Sequence, residues 1–318
     1  MRINFVMSNN VASGIFNAII GNFKRYMKDD NELFVTEHPL PNMDVYHYHR
    51  PNLEASLMKN SVVTVHHDLE DTDPWFDSST FVEKYHEASS IICLNKKQSN
   101  FLLLEEELDN TVIIPHGIDK SIFSDAKKIK VDGEKLTLGI VSKRYGRRVK
   151  GEALLLELYK RLNSDSIKFV FVGHGRTEDA VLAKSYGFEA DCFEDLPYSL
   201  FNNLYSSMDI LLVPSLFEGG PANIPEAFYT NTPVIGRNIA MISDMIKEGK
   251  NGFFLTGNPF KDANLINDLA NLKNNKFQTL LDNINSYDQR VLSWEDVVLK
   301  HISLYQSIIN KNKEQTDD

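Results

Sequence analysis

Asp209-Ile-Leu-Leu-Val-Pro-Ser-Leu-Phe-Glu-Gly-Gly-Pro-Ala-Asn-Ile-Pro-Glu-Ala-Phe228 runs from an apolar stretch through a glycine pair into a helix-forming run. Ile210–Val213 is short, apolar and unalternating, the pattern of a strand buried on both faces of a parallel sheet. Glu218 lies in the loop and Glu226 opens the helix eight positions on, so both carboxylates can face one crevice at the strand's carboxyl end. The backbone N–H groups of Gly219, Gly220 and Ala222 can point at a phosphate or at sugar hydroxyls, whereas Pro221 has none to give. An ionised glutamate accepts several hydrogen bonds and donates none, which suits a hydroxyl-rich ligand. Two surface glutamates flanking an ordinary turn would leave the same letters.

Similar alternation extends in both directions. Upstream in the same half, Leu136–Val141 reads as strand, Glu152–Leu162 as helix, Lys168–Val172 as strand and Leu200–Ser206 as helix; downstream, Pro225–Tyr229 opens a helix and Thr232–Ile235 is strand. The first half offers strands at Ile3–Met7, Leu33–Thr36, Val45–His49, Ser61–Val65, Ser90–Leu94 and Thr111–Ile114. Between the first two, Ile15, Phe16, Ile19, Ile20, Phe23 and Met27 recur at helical spacing. Strands alternating with helices predict an α/β fold, each half a doubly wound, mostly parallel sheet. The expected organisation is an N-terminal domain over 1–120, a polar linker over 121–135 and a second domain over 136–293. A last helix at about 294–310 packs back on the first domain, and a charged, disordered tail covers 311–318.

Two further segments carry chemistry. Lys143, Arg144, Arg147, Arg148 and Lys150 place five cations in eight residues directly after the strand Leu136–Val141, and Gly151 then opens a helix. Ligand crevices in doubly wound sheets lie outside the carboxyl ends of the strands, so this loop suits a polyanion such as a diphosphate. A solvated basic loop or a nucleic-acid patch is the bland alternative, and the overall charge weakens the second. Phe169-Val-Phe-Val-Gly-His-Gly175 ends a buried strand on Gly173 and Gly175, residues that let a ligand approach the backbone closely, or simply let the chain turn.

Composition narrows the classes. The 318 residues are 42% hydrophobic and 25% charged, which excludes a disordered, collagen-like or coiled-coil chain and favours two domains. A formal net charge of −10 disfavours general nucleic-acid binding. No apolar run is long enough to span a bilayer, and the segment from Met1 to Met7 is not expected to be a signal peptide. Only Cys93 and Cys192 are present, so a disulfide framework is not expected and a reducing interior is.

Taken together, the three segments resemble the C-terminal domain of the retaining nucleotide-sugar glycosyltransferases of family four, which have the GT-B fold. Arg144 with Lys150-Gly151 matches the family's cation pair before a helix, and Glu218 with Glu226 matches its Glu-x7-Glu motif. Thr232-Pro-Val-Ile-Gly236 with Asn251-Gly252, Ser293-Trp294-Glu295, and Ile114-Pro-His-Gly-Ile-Asp119 with Phe123 resemble its later strand, its ending and its interdomain connector. The chain departs from the pattern in a short N-terminal domain, in one glycine at Ser13-Gly14 where many members have two, and in Asp244 where glutamate is usual.

The resemblance implies two Rossmann-like domains facing across a cleft and a metal-independent, hexosyltransferase-type enzyme. Such an enzyme moves a sugar from a UDP- or GDP-linked donor to an acceptor hydroxyl, in polysaccharide or other cell-surface glycoconjugate synthesis. Arg144 and Lys150 would hold the diphosphate, Glu218 the sugar hydroxyls, and Glu226 the ribose. Gly173 and Gly175 would line the nucleotide pocket, and Ser13 and Gly14 would face the donor. Val63-Thr-Val-His-His-Asp68 resembles the strand ending in an active-site histidine, His66 or, one position on, His67. The expected partners are a nucleotide sugar and a glycan or glycoconjugate acceptor, with no cofactor, no metal and no nucleic acid. The expected location is cytoplasmic, including the inner face of a membrane with peripheral contact. A nucleotide-sugar epimerase of the same fold and a catalytically silent nucleotide-sugar-binding subunit are the alternatives.

Other features compete weakly. His47 and His49 share a strand face and could ligate a metal, but polar packing is the commoner use. Asp71-Thr-Asp73 matches a cation-holding triplet of a different glycosyltransferase fold. Tyr46, Tyr48, Trp75 and Phe76 could stack on an acceptor sugar, with core packing expected for at least half of them.

Overall fold

The computed structural model describes residues 1–7, 14–28, 30–129, 134–286 and 291–314. The chain forms two compact units, one from 1–117 together with 292–318 and one from 118–291.

In the first unit, the strands are β1 (Arg2–Val6), β2 (Glu32–Thr36), β3 (Val45–Tyr48), β4 (Ser61–Val65), β5 (Ser90–Cys93) and β6 (Thr111–Ile113). They pair in parallel in the order β2-β1-β3-β4-β5-β6. Helices α1 (Gly14–Tyr26), α2 (Ser79–Glu87) and α3 (Lys96–Glu105) complete its first stretch of chain. Alternate residues serve opposite faces: Ile3 and Phe5 pack with Phe16 and Phe23 of α1, whereas Val6 joins Tyr46, Val63 and Phe81 on the other side. The apolar stripe of α1 therefore covers the sheet.

The second unit holds β7 (Leu136–Val141), β8 (Ile167–Val172), β9 (Glu189–Phe193), β10 (Ile210–Val213), β11 (Val234–Arg237) and β12 (Gly252–Leu255). Its order is β12-β11-β10-β7-β8-β9, again parallel. Helices α4 (Glu152–Tyr159), α5 (Thr177–Ser185), α6 (Phe201–Ser207) and α7 (Asn223–Tyr229) alternate with the earlier strands. The later ones are α8 (Ala240–Met245), α9 (Pro259–Ala270) and α10 (Lys276–Ser286). One face buries Leu138, Phe169 and Leu212, and the other Val141, Val172 and Leu211. Both units are the α/β, doubly wound arrangement that the strand–helix alternation implies.

The boundaries correct two expectations. The stretch expected as a linker over 121–135 contributes to the second unit: Phe123 is buried in its core, and Lys128 Nζ donates to Tyr205 O (2.5 Å) and Thr232 Oγ1 (2.9 Å). Charge-rich letters there disguised a segment tied down by buried Phe123 and Lys128 and by the side chains of Asn231 and Asn285. The tail expected over 311–318 is helical as far as Glu314, because α11 (Trp294–Glu314) continues through it; residues 315–318 lie outside the described ones. Trp294, Val297, Val298 and Tyr305 of α11 pack against the first sheet with α1.

Candidate functional site

A ligand crevice in a doubly wound sheet opens where strand order reverses, because the loops leaving the two central strands turn to opposite faces. In the second unit that point lies between β7 and β10. The loop after β7 is the cationic one, and the loop after β10 carries Glu218 and the glycine pair. The two interlock. Leu216 N donates to Val149 O at 2.8 Å, and Asn223 Nδ2 donates to Val141 O at 2.7 Å. Gly151, at φ +82°, packs so closely that a Cβ there would sit 2.3 Å from Pro214 O. Lys150 Nζ donates to Glu218 Oε1 at 2.6 Å, with both side chains largely buried.

The loop after β8 joins the same region. Gly173 has φ +126°, and a Cβ there would meet Ser142 O at 2.6 Å; Gly175 has φ +80°, and its Cβ would lie 3.2 Å from Arg144 Cβ. Arg144 N donates to His174 O at 2.9 Å. Here the glycines allow two loops to touch, whatever else approaches them. The Arg144 side chain pairs with Glu178, and its Nε lies 3.8 Å from Asp179, at the start of α5. Arg144 and Lys150 are thus matched to different carboxylates. Arg176 is completely buried beneath them: Nε donates to Ser142 O (2.8 Å), Nη2 to Ser142 Oγ (2.7 Å) and Nη1 to Asp179 (2.7 Å). A rigid, five-donor fork suits this anchoring of a loop.

Glu226 sits in the first turn of α7, buried, and both of its oxygens are engaged. Tyr198 Oη donates to Oε1 at 2.5 Å, and Tyr205 Oη to Oε2 at 2.7 Å. Burial pushes its carboxyl up to about 7, against the two tyrosine hydrogen bonds, which favour the ionised form. The site therefore contains a carboxyl poised to change charge near neutrality. Gly219, Gly220 and Ala222 lie half-buried on the path from Glu218 to α7.

In the first unit strand order reverses between β1 and β3. Ser13 lies outside the described residues, and Gly14 is the exposed first residue of α1. His47, His49, His66, His116 and His301 gather near the carboxyl end of β3. His47 and His49 stack at 4.3 Å, and His66 and His116 at 6.4 Å. His47 Nδ1 is 2.7 Å from Tyr305 Oη and Nε2 is 2.7 Å from Thr64 Oγ1. Burial holds all five imidazoles below their ordinary range, with His116 and His301 pushed down to about 4. His66 belongs to this cluster; His67, its neighbour, instead packs on Phe81 with ring centres 4.1 Å apart. Among the described residues no three His, Cys, Asp or Glu side chains are disposed to hold a metal ion. Tyr46 and Tyr48 are buried core, whereas Trp75 is exposed.

Sequence reasoning missed Tyr198, Tyr205, Arg176, Asn223, His116 and His301. Only His116, inside the Ile114–Asp119 motif, carried a signal; the others read as ordinary polar or aromatic positions.

Comparison with known proteins bears on the family and the fold. Residues 123–290 match the family described as glycosyl transferases group 1. A glycogen synthase from Thermodesulfovibrio yellowstonii is 28% identical over 179 residues, which are 54% of this chain and 36% of that protein. The chain thus spans little more than a third of the length of the curated relatives it matches. Among solved structures, Anabaena Alr3699/HepE in complex with UDP and glucose superposes with a TM-score of 0.73 at 15% identity, covering 96% of this chain and all (100%) of that one. Sucrose-phosphate synthase from Thermosynechococcus elongatus gives 0.75 at 13% identity, covering 98% and 100%. At these identities the superpositions establish the fold, that of GT-B glycosyltransferases. With a family match spanning more than half of its length, the chain belongs to the glycosyl transferases group 1.

Proposed function

We propose that the protein transfers a sugar from a nucleotide-diphosphate donor to an acceptor hydroxyl, with retention of anomeric configuration and without a metal ion, in polysaccharide or cell-surface glycoconjugate synthesis. The observation that supports this reading most is the Lys150–Glu218 contact at the reversal point between β7 and β10, inside the stretch that matches the family. It puts a cation for a phosphate oxygen beside a carboxylate for sugar hydroxyls. A diphosphate arriving at Lys150 takes over its cation, and Glu218 Oε1 then accepts from the sugar. Arg144 supplies a second charge at the neighbouring loop, and Glu226 an acceptor for a ribose hydroxyl.

During transfer the bond from the anomeric carbon to the diphosphate oxygen breaks while the acceptor oxygen bonds to the same face. Negative charge then accumulates on the leaving diphosphate, and cations held in place by loop packing stabilise it more than the starting donor. The acceptor proton passes to the departing phosphate oxygen. The structures of HepE hold UDP and UDP-glucose, which makes a uridine diphosphate donor the first to test and a GDP-linked donor the second.

The test is calorimetric titration with nucleoside diphosphates, followed by nucleotide release from matching donors and NMR of the product anomer. One selective nucleotide and a retained anomer are expected, with EDTA without effect and Lys150→Ala reducing turnover by about 10³-fold. Full activity in both Lys150→Ala and Arg144→Ala would overturn the reading. A changed sugar from donor alone would instead indicate epimerisation.

A further inference from the structure

His49 Nδ1 lies 2.9 Å from His66 Nε2, so one imidazole donates to the other. Burial keeps both neutral near pH 7, with His49 pushed down to about 3, and the pair therefore shares one proton in this contact. Which nitrogen carries it follows from His49's other edge. Its Nε2 is buried with no hydrogen-bond partner among the described residues. The ring stacks on His47 at 4.3 Å, with the edges of Phe5 (5.0 Å) and Phe16 (5.7 Å) around it. Were the proton of His49 on Nε2, that N–H would be an orphaned donor in an apolar setting, at the full cost of its desolvation. A bare ring nitrogen there is the lesser cost. His47 cannot relieve it, since both of its nitrogens are committed to Tyr305 and Thr64.

We infer that His49 carries its proton on Nδ1, donates it to His66 Nε2, and so fixes His66 as the tautomer with Nδ1–H. His66 is half-buried and lines a small cavity with Thr64, Leu94, His116 and Trp294. Its free nitrogen is then a permanent hydrogen-bond donor, charge-neutral, suited to a sugar or phosphate oxygen and unable to act as a base. His49 is a positioning residue that acts through His66. The tautomer follows from the packing and the neutral state of the pair; a part for this donor in the reaction rests on the glycosyl-transfer reading above.

Long-range proton–nitrogen NMR of the 15N-labelled full chain tests this directly. The expected spectrum has His66 protonated at Nδ1 and bare at Nε2 near neutral pH. In His49→Phe the His66 proton moves at least partly to Nε2, and kcat falls about tenfold, the loss of roughly one hydrogen bond, with the donor KM changed less than about threefold. A wild-type spectrum with His66 protonated at Nε2 overturns the inference, whether or not His49→Phe folds. So does a folded His49→Phe with the same tautomer and kcat as wild type. If the spectrum is as expected but no donor is ever turned over, the tautomer stands and the donor reading fails.

Discussion

Lys150 Nζ and Glu218 Oε1 meet at 2.6 Å although 68 residues separate them, joining the loops that leave two adjacent strands. Each charge is largely removed from water by the same loop packing that brings it to the other. Deleting one takes this contact from a largely buried partner, which costs more than losing both. Lys150→Ala and Glu218→Ala should each destabilise the fold by about 2–4 kcal/mol, with the double variant recovering part of the loss. A double-mutant cycle on urea midpoints measures it; strict additivity would refute the coupling.

Gly151→Ala combines a left-handed backbone with a collision against Pro214, so a loss of about 3 kcal/mol or more is expected. Gly249→Ala is the matched control: its φ is +74°, but nothing lies within 4 Å of the added methyl. About 1 kcal/mol is expected there, from backbone strain alone. Equal losses at the two sites would show that loop packing against Pro214 contributes nothing.

Acid should weaken the first unit. The folded state holds His49 down to about 3 and His67, His116 and His301 down to about 4, whereas their ordinary value is 6.5. As pH falls through that window, the unfolded chain gains protons that the folded one refuses. Each histidine then costs about 1.4 kcal/mol per pH unit. Glu226 has the opposite sign: raised from 4.5 to about 7, it favours the folded state in acid and loses that contribution as pH rises. Glu226 belongs to the second unit, and against its one carboxyl stand six imidazoles held down in the first, so stability rises from pH 4 to 6.5. Thermal melts across the window check the direction.

Tyr198→Phe removes a donor to ionised Glu226, so that carboxyl should titrate still higher than its present value of about 7. If Glu226 accepts from a ribose, wild-type nucleotide affinity rises with pH through about 7, and the variant's curve is displaced upward. Calorimetry over that range reads the displacement. An unchanged curve would separate Glu226 from nucleotide binding.

Arg176→Met should loosen the loop after β7, because Ser142 loses two hydrogen bonds and Asp179 keeps a buried charge. The expected cost is about 3–5 kcal/mol. Amide exchange at Lys143 and Arg144 should accelerate more than exchange in β11; uniform acceleration would argue against local anchoring.

Elements with continuous apolar runs were legible, and Ser61–Val65, Leu136–Val141 and Ile210–Val213 fall where the letters place them. The edge strand β9, Glu-Ala-Asp-Cys-Phe, was not, since it pairs only with β8 and alternates buried with exposed residues over too short a span. Helix α5 was hidden because its buried face includes Asp179, the partner of Arg176, which breaks the apolar period. At the site, charge clustering and motif spacing marked Lys150 and Glu218. The tyrosines on Glu226 gave no such sign, because a hydroxyl aimed at a carboxylate is spelled the same as one aimed at water. His47 and His49 share a face by strand geometry. His301, more than two hundred positions away, joins them only through the fold.

The first unit is assembled from two ends of the chain, and Trp294, Val297 and Tyr305 of α11 complete the face begun by Phe5 and Phe23. During synthesis the 118–291 segment is contiguous and can close its sheet as soon as β12 and its helices leave the ribosome, whereas the earlier-made residues wait for the last helix. A nascent chain halted before Leu292 therefore presents a finished second unit and an uncovered aromatic surface on the first, a surface for a chaperone to shield until α11 is made.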